Sequence, residues 1–177
     1  MEIAMGEVKR TRQTGMTLIE VLVSVLILGI GLLGAAAIQL NALRYTDSSA
    51  MTSQASFIAY DMMDRIRANV DGNAANNGSN VLDGYALSSL AAAPAPNMNN
   101  AVAQDLADFS TNITNFAGAS GANSNIAITR PRVTITITWN DARAAAASAE
   151  ASGQAPPETQ RTFVLSSQIG VNEVPAP

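Results

Sequence analysis

The stretch that decides the fold is "GMTLIEVLVSVLILGIGLLG", residues 15–34. An apolar run begins at Met16, yet Glu20 sits inside its first turn or so. A carboxylate near a membrane core costs roughly 2.5–3.5 kcal/mol on insertion scales, so Glu20 either finds a partner or snorkels to the cytoplasmic headgroups. The run extends on to Leu43 without a charge from residue 21. About 20 apolar residues cross a bilayer core as a helix, so this segment is long enough to span. Three basic residues, Lys9, Arg10 and Arg12, precede it, and only Arg44 follows soon after. The positive-inside tendency then puts the N-terminus in the cytoplasm and the C-terminal bulk across the membrane.

A secretory signal peptide has the same outline: a basic start, an apolar middle, and small residues such as Ala35, Ala36 and Ala37 where a peptidase could cut. Two features argue against it. Glu20 suits such a segment poorly, and the helical pattern does not stop at the alanines. In "YTDSSAMTSQASFIAYDMMDRIRAN", Met51, Ala55, Ile58, Ala59, Met62 and Ile66 recur at three- and four-residue steps and form one helix face. Asp61 and Arg65 are spaced i,i+4 and Asp64 and Arg67 i,i+3, so each pair can meet on the exposed side. The first proline is Pro94. One helix from about Met16 to about Asn69 would be roughly 80 Å long at 1.5 Å per residue. Asp71-Gly72 and the Asn/Gly cluster behind it end the pattern.

Composition removes several function classes. The chain has no cysteine and no histidine, which excludes a disulfide framework, the usual zinc and haem ligand sets, and Cys–His or Ser–His–Asp catalysis. Beyond residue 15 it has no lysine and a formal charge of −5. Non-specific nucleic-acid affinity comes from clustered Lys and Arg, so no nucleic-acid partner is expected. There is no Gly-rich phosphate loop, and Asp105 and Asp108 read as a solvated helix face. No enzyme activity and no cofactor are expected.

Residues 15–34 resemble the type IV pilin N-terminus: a basic leader ending in glycine, a residue that becomes the new N-terminus, then T-L-[IL]-E-V and an apolar run. The resemblance implies cleavage by prepilin peptidase between Gly15 and Met16, N-methylation of Met16, and an assembly role for Glu20 as the fifth mature residue. The new amine and Glu20 lie four residues apart on one helix face, so they can pair within a chain; the resemblance implies the neighbouring subunit's amine instead. Pairing offsets much of the desolvation of both charges, and fixing register is the best-attested use of such groups. Gly29, Gly31 and Gly34, with Ala35 completing a small-xxx-small pair with Gly31, suit close helix approach. Glycine is also simply common in membrane helices.

"QASFIAYDMMDRIRAN", "QDLADF" and "VTITITWND" are similar to minor pilins of the PilV kind, the type IV pilus modification proteins. Major pilins carry a proline in the apolar run and a C-terminal disulfide loop. This chain has neither, which points to a minor pilin. The implied partners are other minor pilins, the major pilin, prepilin peptidase, the inner-membrane pilus assembly machinery and membrane lipid. The implied location is a single-pass inner-membrane protein that later joins an extracellular pilus. Asp61, Asp64, Arg65 and Arg67 are a possible contact segment for such partners, or a solvated salt-bridge face.

The C-terminal part reads as a small domain. Residues 70–100 read as a surface connection, with "VLDGYAL" a short strand or docking segment. Val102, Leu106, Phe109 and Ile113 give a short helix near 101–116. "RVTITITWND" alternates, with Val133, Ile135, Ile137 and Trp139 on one face and Thr134, Thr136 and Thr138 on the other, as a half-buried antiparallel strand does. "NIAIT" and "RTFVLSSQI" are further strands. The expected fold class is α+β: a long N-terminal helix, membrane-spanning and then amphipathic, packed on a small antiparallel sheet. The expected divisions are a cytoplasmic leader 1–15, a transmembrane part 16–43, an amphipathic half 44–69, a variable region 70–124, and a sheet region 125–177 with a long loop at 141–160.

Overall fold

The computed structural model describes residues 15–72, 79–153 and 159–169. Two compact units meet at the Asn41–Ala42 bond. One helix, α1 (Leu18–Gly72), contributes to both.

In the first unit the side chains of α1 are exposed on every face from Leu18 to Leu40. The helix is long and apolar enough to cross a membrane, with a mean hydropathy of 2.7 over its best window and none of that window buried. A helix apolar all round suits lipid or neighbouring helices, where its own backbone bonds satisfy every peptide group.

The second unit is α+β. After α1 come α2 (Ser79–Asp83), a 3-10 turn (Leu90–Ala92), α3 (Ala101–Ala117), a second 3-10 turn (Gly118–Gly121), β1 (Asn125–Thr129), β2 (Arg132–Asn140), α4 (Ala142–Ser152) and β3 (Gln160–Gln168). The sheet order is β1-β2-β3 and both pairings are antiparallel. Ile135 is the centre of the register, opposite Ile126 on one side and Leu165 on the other.

The predicted stripe on α1 covers this sheet. Ala55, Ala59, Met62, Met63, Ile66 and Val70 are buried in one cluster with Val133, Ile135, Ile137 and Trp139 of β2. Each fully buried Ile or Met side chain contributes about 1.5–3 kcal/mol. The stripe explains why α1 runs three residues beyond Asn69: Val70 is the next position on the buried face after Ile66. Leu106, Phe109 and Ile113 of α3 complete the cluster, and Asn100 caps that helix by accepting a bond from the Ala103 N–H at 3.1 Å.

Three regions differ from their sequence reading. Within 70–100, Leu82, Tyr85 and Leu87 are buried, so part of this connection belongs to the core. "VLDGYAL" is not a strand: α2 ends at Asp83, and Leu87 makes a single bridge to Ile126. The 141–160 connection holds an eleven-residue helix, α4. Alanine has the highest helix propensity; Asp141 caps the start by accepting from the Ala144 N–H at 3.2 Å, and Gly153 ends it at φ +65. Thr138, read as outward-facing on a half-buried strand, is buried, because the 3-10 turn before β1 lies over it. Its hydroxyl donates to the Ser120 carbonyl at 3.2 Å, and its N–H donates to Ser124 Oγ at 3.0 Å.

Between Thr46 and Ser56, the exposed side of α1 is rich in hydroxyls. Thr46, Thr52, Ser53 and Ser56 donate to the helix carbonyls of Ala42, Ser48, Ser49 and Ser53.

Candidate assembly site

Lys9, Arg10 and Arg12 lie outside the described residues. Gly15 and Met16 precede α1 in extended chain, and Met16 is 70% exposed. Glu20 lies in the first turn, where a negative charge complements the positive end of the helix dipole. Among the described residues of this single chain its carboxylate has no hydrogen bond or ion pair, so the structure leaves it available.

Sequence reading missed one feature here. Thr17 stands before the helix, and its Oγ1 accepts a long bond, 3.4 Å, from the Glu20 N–H. Thr-x-x-Glu is the capping-box pattern, in which the hydroxyl serves the fourth residue's N–H. The signal was available in "TLIE". Thr17 therefore has a local role in starting α1, while among the described residues the Glu20 carboxylate does not return the bond.

Gly29, Gly31 and Gly34 leave open space: a methyl added at any of them would meet nothing within 4 Å. Ala35 is exposed on the same span. Among the described residues nothing packs on these small positions, which fits a surface kept for another helix.

The second proposed segment is built differently from its sequence reading. Asp61 and Arg65 do pair, at 2.9 Å, as do Asp64 and Arg67, at 3.0 Å. Arg67 also donates to Ser167 Oγ at 2.8 Å. Arg65 goes further. Its Nη1 reaches Asp105 at 3.2 Å and Asp108 at 3.0 Å, both on α3. The Tyr85 hydroxyl donates to the other Asp105 oxygen at 2.6 Å and accepts from Asn69 Nδ2 at 2.9 Å. Gln104 Nε2 donates to Asp108 at 2.9 Å. The reading of Asp105 and Asp108 as a solvated face is thus corrected: the Asp105 side chain is only 15% exposed and ties α3 to α1. Arg65 and Arg67 bind their own domain, and Asp61, Asp64 and Arg67 remain exposed.

Burial opposes the Arg65 charge, but the hydrogen bond to Asp105, the field of Asp61 and the bond to Asp108 outweigh it and raise the pKa. Burial raises the Tyr85 pKa well above its ordinary value, and the bond to Asp105 adds to this. Elsewhere, Arg130 grips Asp83 at 2.9 and 2.5 Å, and these bonds hold that carboxyl below its usual range.

A cavity of about 460 Å³ beside β1 is lined by Leu87, Ser88, Ala92, Ile126 and their neighbours, with no ionisable side chain. Among the described residues no group of three acidic, His or Cys side chains is placed to hold a metal.

The position of Glu20, the glycine before Met16 and the exposed apolar helix are the observations that a comparison must explain. Residues 10–36 match the family model for the prokaryotic N-terminal methylation motif. This is the N-terminal signature of type IV pilin- and pseudopilin-like proteins, and it implies processing by prepilin peptidase and assembly with other pilins. The motif and the apolar helix together fit single-pass anchoring in the inner membrane. Comparison with curated proteins and with solved structures returned no match.

Proposed function

We propose that the chain is a minor type IV pilin of the PilV kind, which helps initiate pilus assembly within a minor-pilin complex at or near the filament tip. One observation carries this reading: the methylation motif leads directly into an all-round exposed apolar helix, which continues into a small α+β unit. The job is structural. Prepilin peptidase cuts between Gly15 and Met16 on the cytoplasmic side, where Lys9, Arg10 and Arg12 hold the leader. The new Met16 amine is methylated and remains a cation near neutral pH. Glu20 pairs with such an amine and sets the stagger between helices, while the small residues from Gly29 to Ala35 allow close approach. The C-terminal unit stays outside the cytoplasm and passes into the filament. The absence of cysteine and of a proline in the apolar run supports a minor rather than a major subunit.

The deciding experiment is the mature N-terminus. Methylated Met16 is expected; a chain beginning at Ile38 would mean a cleaved signal peptide and end the proposal. Co-purification with secretion-system pseudopilins instead of pilus subunits would assign the chain to that machinery. Breaking one side of a buried ion pair costs about 3–5 kcal/mol. Glu20→Ala should therefore insert normally in the membrane yet be largely lost from filaments, and unchanged incorporation would remove the registry role.

A further inference from the structure

The two edges of the sheet are finished differently. On β1, Ile126 turns its N–H and C=O away from β2, and Leu87 takes both, at 2.8 and 2.9 Å. On β3, the alternation is set by Ile169, whose N–H reaches inward to the Pro131 carbonyl at 2.8 Å. Arg161, Phe163, Leu165 and Ser167 therefore bond toward β2, while Thr162, Val164 and Ser166 point their backbone groups outward. Among the described residues nothing meets these outward groups. Natural proteins blunt such an edge with lysine, proline, a bulge or a covering loop. Among the described residues strand β3 has no lysine, proline, bulge or covering loop, and its one charge, Arg161, sits near its start: its pairing with β2 is continuous over nine residues, and Val164 is 57% exposed at its middle.

We propose that the outer edge of β3 is a docking strand that receives an extended edge strand from a different pilin-like chain during assembly. The class of partner rests on the proposed function; the open edge does not. A second copy does not fit. Related by translation, it would present β1, where Leu87 already takes the outward N–H and C=O of Ile126 at the strand's second residue. Antiparallel pairing of β3 with β3 needs a two-fold axis normal to the sheet. The 42–72 segment of α1 lies on the sheet face, so that axis would run the two copies of it in opposite directions. Subunits that enter one filament with a common polarity, as the proposed function has it, do not pair in this way.

The chemistry of the incoming strand follows from β3. Phe163 and Leu165 are half-buried on the core side, so apolar residues belong beside them. Arg161 is exposed, and no anion pairs with it among the described residues, so a carboxylate belongs opposite it. Main-chain bonds would supply the affinity and these positions the selectivity.

The chain has no cysteine of its own, so Val164→Cys places a sole thiol on the edge. The full mature chain, in its own membrane, is labelled there with a maleimide–benzophenone and irradiated. The expected product joins residue 164 to a strand of another chain bearing the methylation motif. The same label on Ala127→Cys, exposed on the capped strand β1, should give about tenfold less product, an effective difference near 1.4 kcal/mol. Val164→Pro removes an outward N–H and no ladder bond, a placement that edge strands tolerate. It should lower incorporation about tenfold with the emission of Trp139 unchanged. If proline disturbs that emission, Val164→Lys on the solvent face replaces it. A product containing two copies of this chain, equal yields at 164 and 127, or normal incorporation of the edge variant would overturn the docking strand. The N-terminus of the same sample keeps the two ideas apart. Methylated Met16 without the β3 product sinks the docking strand alone, whereas an uncut Gly15–Met16 bond removes the proposed function and this inference with it.

Discussion

Replacing Arg65 with methionine tests the link between α1 and α3. The variant keeps most of the aliphatic stem and removes the charge. Three ion pairs go with it, and they are unequal. The pair with Asp61 is an exposed i,i+4 contact, 37% and 54% accessible at its two side chains, and pairs of this kind contribute about 0.3–0.5 kcal/mol. Asp108 is 40% exposed and belongs in the same range. Asp105 is different: at 15% exposure it keeps only the Tyr85 hydroxyl, and losing a charge-assisted bond there costs about 1.5 kcal/mol, the low end of its range because Arg65 itself is partly wet. The total is about 2 kcal/mol. Urea unfolding of the mature chain in detergent, read by Trp139, the sole tryptophan, measures it. Arg65→Met should lower the unfolding free energy by that amount, and adding Asp105→Asn should recover part of the loss. A double-mutant cycle should give a larger coupling for Arg65 with Asp105 than with Asp61. Equal couplings, or a loss under about 0.5 kcal/mol, would refute the reasoning, because the network would then be no more than a surface decoration.

Two further outcomes follow from neighbouring features. Tyr85→Phe removes a buried hydroxyl that donates to Asp105 and accepts from Asn69, so a loss of about 1–2 kcal/mol is expected near neutral pH. The wild type carries an alkaline liability at this residue. Its folded pKa is raised above the unfolded value of 10.0, so the contribution is complete below that pH and is lost as pH rises above it. Urea midpoints from pH 8 to 11 should therefore fall less steeply for Tyr85→Phe than for the wild type; parallel curves would argue against it. Gly121→Ala would put a methyl 2.6 Å from Ile113 Cγ2 and 3.1 Å from Ala117 Cβ, and Ile113 is fully buried. Overpacking of this kind costs about 1–3 kcal/mol, visible as a lower urea midpoint, and a neutral result would show that Ile113 has room to move.

The sequence exposed the layers of this fold because each layer has its own period. Met51 to Ile66 repeat as a helix does and Val133 to Trp139 as a strand does, and both faces are buried together. The motif at Gly15, Met16 and Glu20 was equally legible, since it is contiguous. What stayed hidden joins distant residues. Arg65 and Asp105 are 40 positions apart, and Arg65 already had a near partner in Asp61, so spacing found that pair and gave no sign of the longer reach to α3. Tyr85 lay in a stretch whose Asn, Ser and Gly content reads as surface, and only the fold turns that ring inward. Helix α4 reads in the sequence only as a long loop with room for a helical turn, for another reason. Its alanines carry no period, yet Asp141 and Gly153 marked its ends and could have located it.

The hydroxyl belt on α1 has a consequence for how the protein changes surroundings. Thr46, Thr52, Ser53 and Ser56 already spend their protons on carbonyls of their own helix. Such internally bonded hydroxyls carry less of the penalty that a bare polar group meets on leaving water. These four side chains are therefore amphibious: they can stand in water while the chain waits, and be dried against a neighbouring helix later, with none of the four hydroxyl donors left stranded in either state.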